Sequence, residues 1–433
     1  MAVATGMPVT KSKLTPNQIK GFIAAWGGWT LDGMDAFIYA LVLVPALREL
    51  LPKSGIEATP GNIGYYGSVL FALFLFGWGV SMVWGPVADR FGRVTALMLT
   101  ILTYSIFTLL CAFAQTVWQL AILRIMCGIG IGGEQPMGGT FIAEQMPEDR
   151  RKFAAGLMHT GYYFGFFLAA AANYFIGANF GWRWMFALGG IPALMVFWIM
   201  KEVQEPEKWK QQAQKKRLGM IESFARLFTP EYKKRTMVMS VLFLTSIIGL
   251  WAGSVYVPTA VTQIAARPEY GYSPADAARI ASYGSAVLAI ATIIGCLAAP
   301  GIAERLGRKP TMALYFTIMM VGVALGFGYV FYLPNALPLF FVFIFILGIG
   351  GANFAMYTLW IPEQYTTDCR GSAIGFVSAI GRFVGVAMVF LVGAGIASYG
   401  SLGVPVAITA AAFILGLLAI PAAEETRGKP LPA

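Results

Sequence analysis

Residues 26–47 read WGGWTLDGMDAFIYALVLVPAL. The run is long enough to cross a bilayer, for which about 20 residues suffice, yet Asp32 and Asp35 stand near its middle. A charge at the centre of a membrane helix costs roughly 2.5–3.5 kcal/mol on insertion scales. Carboxylates three residues apart share one helical face, about 4.5 Å apart along the axis. That face cannot look at lipid. It must look into a protein interior or a watery cavity where the acids have a use.

The whole chain is of the same kind. Of 433 residues, 58% are hydrophobic and 12% charged, about half the charged share of a soluble domain. With 50 glycines, which let membrane helices approach closely, the composition predicts an all-α polytopic membrane protein and excludes a soluble enzyme. Residues 1–21 are polar and the first apolar run is a full span, so no cleavable signal peptide is expected. The net charge of +10 would suit nucleic acid if it formed a patch. Instead, 24 of the 31 Lys and Arg fall in segments on one side of the membrane. Five (Arg48, Lys53, Arg183, Arg267, Arg279) fall on the other, and Arg124 and Arg382 lie inside spans. This is the positive-inside pattern. It predicts a multi-pass protein of the inner or plasma membrane with both termini cytoplasmic, partnered by lipid and not by nucleic acid. The four cysteines show no metal-ligand or redox spacing, and no cofactor is expected.

Twelve apolar segments can be marked: 22–47, 62–86, 94–113, 117–143, 153–177, 181–200, 236–264, 277–300, 310–332, 336–362, 370–397 and 402–422. The polar, basic stretch 201–235 separates two sets of six. The expected organisation is a cytoplasmic tail 1–21, a six-helix bundle 22–200, a linker 201–235, a second bundle 236–422 and a cytoplasmic tail 423–433. The halves repeat. Ala88-Asp89-Arg90-Phe91-Gly92-Arg93 returns as Ala303-Glu304-Arg305-Leu306-Gly307-Arg308, an offset of 304 − 89 = 215. Gly130-Ile131-Gly132-Gly133 returns as Gly348-Ile349-Gly350-Gly351, an offset of 218, and Ile142-Ala143-Glu144-Gln145 as Ile361-Pro362-Glu363-Gln364, an offset of 219. An even number of spans per half makes the repeats run the same way through the membrane.

Gly85-Pro86-Val87-Ala88-Asp89-Arg90-Phe91-Gly92-Arg93 resembles the signature between helices 2 and 3 of the major facilitator superfamily, apart from its last basic position, where Val94 stands. Arg124-Ile125-Met126-Cys127-Gly128-Ile129-Gly130-Ile131-Gly132 resembles that family's fourth-helix motif. The resemblance covers essentially the whole chain. The Asp32-Gly33-Met34-Asp35 run is similar to proton-coupled organic-acid carriers, the aromatic-acid and sialate or lactate branches. The tail Glu425-Thr426-Arg427-Gly428-Lys429 is similar to a sugar-porter ending, but Ala422-Ala423 precede it. The resemblance implies two pseudo-symmetric six-helix bundles. Helices 1, 4, 7 and 10 then surround a central cavity, flanked by 5, 8 and 11.

Six ionisable groups lie inside the expected spans besides Tyr and Cys: Asp32, Asp35, Arg124, Glu134, His159 and Arg382. At 1.5 Å per residue, Asp35 and Arg124 fall within roughly 10 Å of each other in depth. Two close carboxylates and one Arg cannot all be satisfied as ions, so one acid is free to carry a proton. Asp32, Asp35 and Arg124 are therefore the expected proton-coupling group, and the alternative is a structural ion pair. Glu134 and His159, on adjacent helices at similar depth, are expected to pair and either join that group or merely hold the half together. Arg382 has no acid in its own half's spans, and a lone guanidinium facing a cavity suits a substrate carboxylate; the alternative pairs it with Glu134 or helix-end carbonyls. Tyr39, Tyr162, Tyr163, Asn173, Trp251, Tyr256, Gln263, Asn353, Tyr357 and Trp360 are candidates to shape the rest of the site, with Tyr256 and Asn353 foremost. Gly85, Asp89, Arg90, Gly92, Arg93 and Glu144, with Glu304, Arg305 and Arg308 in the repeat, are the expected cytoplasmic gate. Arg150, Arg151 and Arg370 are explained by topology alone. No Walker loop or other enzyme motif is present, so work must come from a gradient. The reading is a monomeric secondary transporter importing a small organic anion with protons by alternating access. A sugar or polyol symporter, an exporter and a non-transporting receptor are the alternatives.

Overall fold

The computed structural model describes residues 12–215, 218–250, 254, 256–399 and 401–432. Twelve spans run through it. The first is α1 (Pro16–Lys53), and the second is α2 (Pro60–Val80) continued through a 3-10 turn into α3 (Trp84–Phe91). The third and fourth are α4 (Arg93–Cys111) and α5 (Val117–Gln145). The fifth is α6 (Glu148–Ala172), running through a π turn into α7 (Ala178–Phe180), and the sixth is α8 (Trp182–Leu188) with α9 (Pro192–Glu202). Two short helices, α10 (Glu207–Lys215) and α11 (Met220–Arg226), join the halves. The seventh span contains α12 (Lys233–Gly249) and α13 (Val257–Ala265); the eighth and ninth are α14 (Pro274–Leu306) and α15 (Arg308–Gly328). The tenth is α16 (Leu337–Gly351) with α17 (Asn353–Trp360), the eleventh α18 (Arg370–Tyr399), the twelfth α19 (Gly403–Ile408) with α20 (Ala411–Ala419).

Helix starts are written locally. Thr15, Thr59, Thr116 and Ser273 each accept a hydrogen bond from the backbone N–H three residues on, which satisfies one of the donors a helix leaves free at its first turn. Among the described residues, nine helical stretches are long and apolar enough to cross a membrane by length and composition alone. The expected first, fifth and seventh segments fall outside those nine and are helical all the same; all three contribute to the cavity described below.

The glycine run of the fourth span is a packing face. A Cβ on Gly128 would sit 2.1 Å from the carbonyl oxygen of Phe74, and one on Gly77 would sit 2.1 Å from that of Ile125. Backbone meets backbone there, so nothing larger fits. Gly348 and Gly295 do the same in the second half, against the carbonyls of Leu288 and Ile349.

Both ends of the described residues lie on one face of the bundle, called the terminal face below. The Ser12 N–H donates to Asp149 at the start of α6, and Arg370 at the start of α18 donates to the Pro432 carbonyl. The joining helices lie on the same face. Trp209 of α10 donates to the Asp89 carbonyl at 3.1 Å, and Ser223 of α11 to the Asp368 carbonyl at 3.1 Å. The joining segment therefore touches both halves.

Candidate functional site

Two clusters of buried charge lie along the seam between the halves. The first surrounds a cavity of about 340 Å³. Its described lining comes from the first, second, fourth and fifth spans and from their repeats, the seventh, eighth, tenth and eleventh. The wall is mostly aromatic, with Trp29, Phe74, Trp78, Tyr162 and Phe354 among the rings, and carries Arg382, His159 and Gln135 as its larger polar groups besides the tyrosines.

Arg382 enters this wall from α18. Its guanidinium carbon lies 4.3 Å from the Trp78 ring centre and 5.5 Å from that of Phe243. Its Nε and Nη1 are buried and make no hydrogen bond among the described residues. Asp32 and Tyr162 are its electrostatic partners, and Asp32 belongs to the other half. Arg124 is held in the same manner, its guanidinium carbon 4.3 Å from both the Tyr39 and the Phe74 ring centres. None of its three nitrogens is hydrogen-bonded. It is the cation that acts on Asp35, without bridging to it. The carboxylate oxygens of Asp32 and Asp35 are likewise buried. Electrostatically the two acids divide the two arginines: Arg124 acts on Asp35 within the first half, and Arg382 acts on Asp32 across the seam.

Glu134 and His159 do not pair. The Thr100 hydroxyl donates to Glu134 at 3.2 Å, and the carboxylate presses on Gly28, where a Cβ would lie 1.8 Å from Oε1. His159 turns the other way, into the cavity. Its ring lies 5.8 Å from that of Trp29 and parallel to that of Phe354 at 6.2 Å. Similar depth did not decide the matter; the rotation of each helix about its own axis did.

The same rotation removes most of the aromatic and amide candidates. Asn353 sits at the break between α16 and α17 and donates to the Gly350 carbonyl at 2.8 Å. Tyr357 bonds to Ser246 at 2.7 Å. Trp360 donates to the Glu424 carbonyl at 3.0 Å near the terminal face. Tyr39 lies behind the cavity, under Arg124. Tyr256 precedes α13, half-buried, while Ser254 and Pro258 take the cavity wall. Asn173 and Gln263 are not among the lining residues, and Trp251 lies outside the described residues. Tyr163 and Tyr162 do line the cavity. Trp29, Trp78, Phe354 and Gln135 were not foreseen; no signal in a single sequence separates a cavity-facing ring from a packed one.

The second cluster closes the terminal face. Gly92 leaves α3 with φ at +120°, a conformation that favours glycine, and so turns Arg93 back under the bundle. Arg93 donates twice to Glu144, both at 2.9 Å, and also to Asp89 at 3.0 Å and to the Thr367 carbonyl of the other half. Glu144 accepts a further bond from Arg370 at 2.8 Å. Asp89 accepts the N–H groups of Gly371 and Ser372 at 3.0 and 2.8 Å and the Ser372 hydroxyl at 2.6 Å, which seats a carboxylate on the N-terminus of α18. The repeat builds the mirrored arrangement. Arg308 donates to Glu363 at 2.9 and 2.8 Å and to Glu304 at 2.7 Å, Arg151 reaches Glu363 at 3.5 Å, and Lys152 reaches Glu304 at 2.7 Å.

Arg90 and Arg305 are exposed and take no part among the described contacts, so these two gate assignments are corrected: with the glycine turning the next Arg inward, they are left facing solvent. Arg151 and Arg370 are corrected the other way. Both are buried members of the lock, and their separation, 370 − 151 = 219, equals that of Glu144 and Glu363. Two carboxylates were missed. Glu205 accepts the N–H groups of Arg93, Val94 and Thr95 at 2.7–3.1 Å, and Glu425 those of Arg308 and Lys309 at 2.9 and 3.0 Å. Each caps the helix that follows the turning glycine. Burial nonetheless raises the Glu205 carboxyl above its usual range. The tail that resembled a sugar-porter ending is thus part of the lock, with the Thr426 hydroxyl on Glu363 at 2.6 Å.

A family model described as "Major Facilitator Superfamily" matches residues 25–324. Among curated proteins, the chain is 26% identical over 392 residues to the niacin transporter NiaP of Acinetobacter baylyi, covering 83% of each. It is 28% identical over 425 residues to a probable 4-methylmuconolactone transporter of Cupriavidus pinatubonensis, covering 96% of this chain and 92% of that one. Among solved structures, the proton:xylose symporter XylE superposes with a TM-score of 0.75 at 19% identity, over 96% of this chain and 98% of that one. With twelve spans, a cavity lined by the same four spans of each half and a charged cluster repeated in each half, the chain belongs to the Major Facilitator Superfamily.

Proposed function

We propose that this protein is a proton-coupled symporter that imports a small, flat organic anion by alternating access, with the terminal face toward the cytoplasm. One observation carries the anion assignment: Arg382 stands in the wall of a largely apolar, ring-rich cavity with two buried nitrogens that no described residue hydrogen-bonds. A carboxylate fits a guanidinium with two parallel hydrogen bonds, and a flat body fits between Trp29, Trp78 and Phe354. Relatives named for niacin and 4-methylmuconolactone are consistent with a flat substrate of this size.

The proton enters through Asp32. Charged, Asp32 competes with a substrate anion for Arg382, because each acts on the other across the seam. Protonated, it releases the guanidinium to the substrate. Proton and anion then load together, and the sealed terminal face marks the state in which loading occurs from the opposite side. Asp35, matched to Arg124 within the first half, holds that half's charge balance while Asp32 cycles. Glu134 acts on Asp32 from the neighbouring fourth span.

Uptake of labelled benzoate and niacin into proteoliposomes under an inward proton gradient tests this. Arg382→Gln should abolish uptake and Arg382→Lys should raise KM, with folding checked by thermal melting. Unchanged kinetics in both variants, or a wild type that moves hexoses and no carboxylate, overturns the reading.

A further inference from the structure

We infer that His159, the only histidine of the chain, is a specificity-determining residue that hydrogen-bonds a second polar group on the substrate's ring. The protein would accordingly prefer aromatic acids bearing a ring hydroxyl or ring nitrogen over plain benzoate. The inference deepens the carboxylate reading above and rests on it.

His159 lies on the cavity wall and is almost fully buried, 4% exposed. Its Nδ1 has no hydrogen-bond partner among the described residues. Such a group is retained at a cost unless something bonds it. Among the described residues no ion pair reaches it: Glu134 faces Thr100 and Gly28 instead. The surroundings hold the ring still. Trp29 packs against it from the first half and Phe354 lies parallel to it from the second.

The same wall leads to Arg382. Phe354 meets Phe243 at 5.5 Å in an edge-to-face contact, and Phe243 lies under the Arg382 guanidinium. On the other side, Trp29 packs on Tyr162 at 4.9 Å, and Tyr162 is an electrostatic partner of Arg382. Two aromatic chains therefore connect a cation to an unbonded imidazole around one cavity. A flat ring lying between them presents its carboxylate to Arg382 and an opposite-edge polar atom to His159. A site that hydrogen-bonds a substrate group rejects the analogue lacking it more strongly than a merely apolar pocket would.

Binding of benzoate and the three hydroxybenzoate isomers to the purified full chain, measured by calorimetry, tests this. The preferred isomer should bind about tenfold tighter than benzoate, the worth of one good buried hydrogen bond. In His159→Phe, which keeps the stacking on Trp29 and Phe354, that preference should fall to about one, because the favoured isomer loses more affinity than benzoate does. His159→Gln, which keeps a donor and an acceptor, should retain a preference. Arg382→Gln should lose both acids. The lone histidine also gives one imidazole spin system, whose nitrogen resonances the preferred isomer should move farther than benzoate does. A preference that survives in His159→Phe, the absence of any preference in the wild type, or equal loss of benzoate in His159→Phe overturns the inference. Wild-type protein that binds neither kind of acid overturns the carboxylate reading beneath it.

Discussion

The lock and the cavity use the same residue types at the same depth of burial, and treat them in opposite ways. In the lock, Arg93, Glu144 and Arg370 are fully buried, and each is held by several hydrogen bonds at 2.6–3.2 Å. Around the cavity, Asp32, Arg124 and Arg382 are just as buried, and the guanidinium groups are met by aromatic faces in place of hydrogen bonds. A buried charge is tolerable when its hydrogen bonds are complete, and removing one partner then leaves the other stranded. A buried charge left incomplete by the protein is a group kept for something that comes and goes. The lock is finished chemistry that fixes a conformation. The cavity is unfinished chemistry.

The sharpest way to break this contrast is Asp32→Asn. It leaves the lock untouched and takes the proton from the cycle. Exchange of substrate across proteoliposomes should persist while accumulation against a gradient disappears, and the same change at Asp35 should spare more of the accumulation. Loss of exchange together with accumulation would make Asp32 a folding or binding group instead.

Glu144→Gln attacks the lock. Two buried arginines would lose their shared counter-charge, a change worth on the order of 3–5 kcal/mol, and the terminal face should open. Cys369 reports it. The thiol is buried at that face, and burial pushes it up to about 11. Opening hydrates the thiol, lowers it toward its usual value and raises the reactive thiolate fraction. Maleimide labelling of Cys369 should accelerate by about tenfold or more; an unaltered rate would show that the ion network does not hold the closed state.

Glu304→Gln should do the least. It occupies the place of Asp89 in the repeat but is 43% exposed in its side chain, with Lys152 and Arg308 as partners. An ion pair so exposed is worth about 0–1 kcal/mol, so labelling of Cys369 should change by less than about fivefold. Equal effects of Asp89→Asn and Glu304→Gln would show the two halves of the lock to be equivalent in energy as well as in layout.

Much of the fold was legible because the bilayer demands it. About twenty apolar residues are needed for each crossing, so every span announces itself by length, and the repeat of Asp89, Gly92 and Arg93 in Glu304, Gly307 and Arg308 announces the pseudo-symmetry. The charged part of the site was legible for the same reason, since an Asp or Arg inside a span has few bland explanations. Rings and amides carry no such signal. Phe354 faces the cavity and Asn353, Tyr357 and Trp360 on the same span do not. One residue along a helix turns the side chain by about 100°, and depth arguments are blind to that angle. The caps Glu205 and Glu425 were missed because each lies far in sequence from the helix start it satisfies.

The sequence by itself determined that this chain crosses a membrane many times, that its halves repeat, and that Asp32, Asp35, Arg124 and Arg382 stand where lipid would not allow them. Those conclusions follow from the cost of polar groups in hydrocarbon, which is paid residue by residue. Only the tertiary structure decided which charges meet. It set Asp32 against Arg382 and Asp35 against Arg124, parted Glu134 from His159, and brought Arg151 and Arg370 into the lock. Those pairings depend on how each helix is rotated and on which helix of the other half it touches, and both are settled by close packing over the whole bundle.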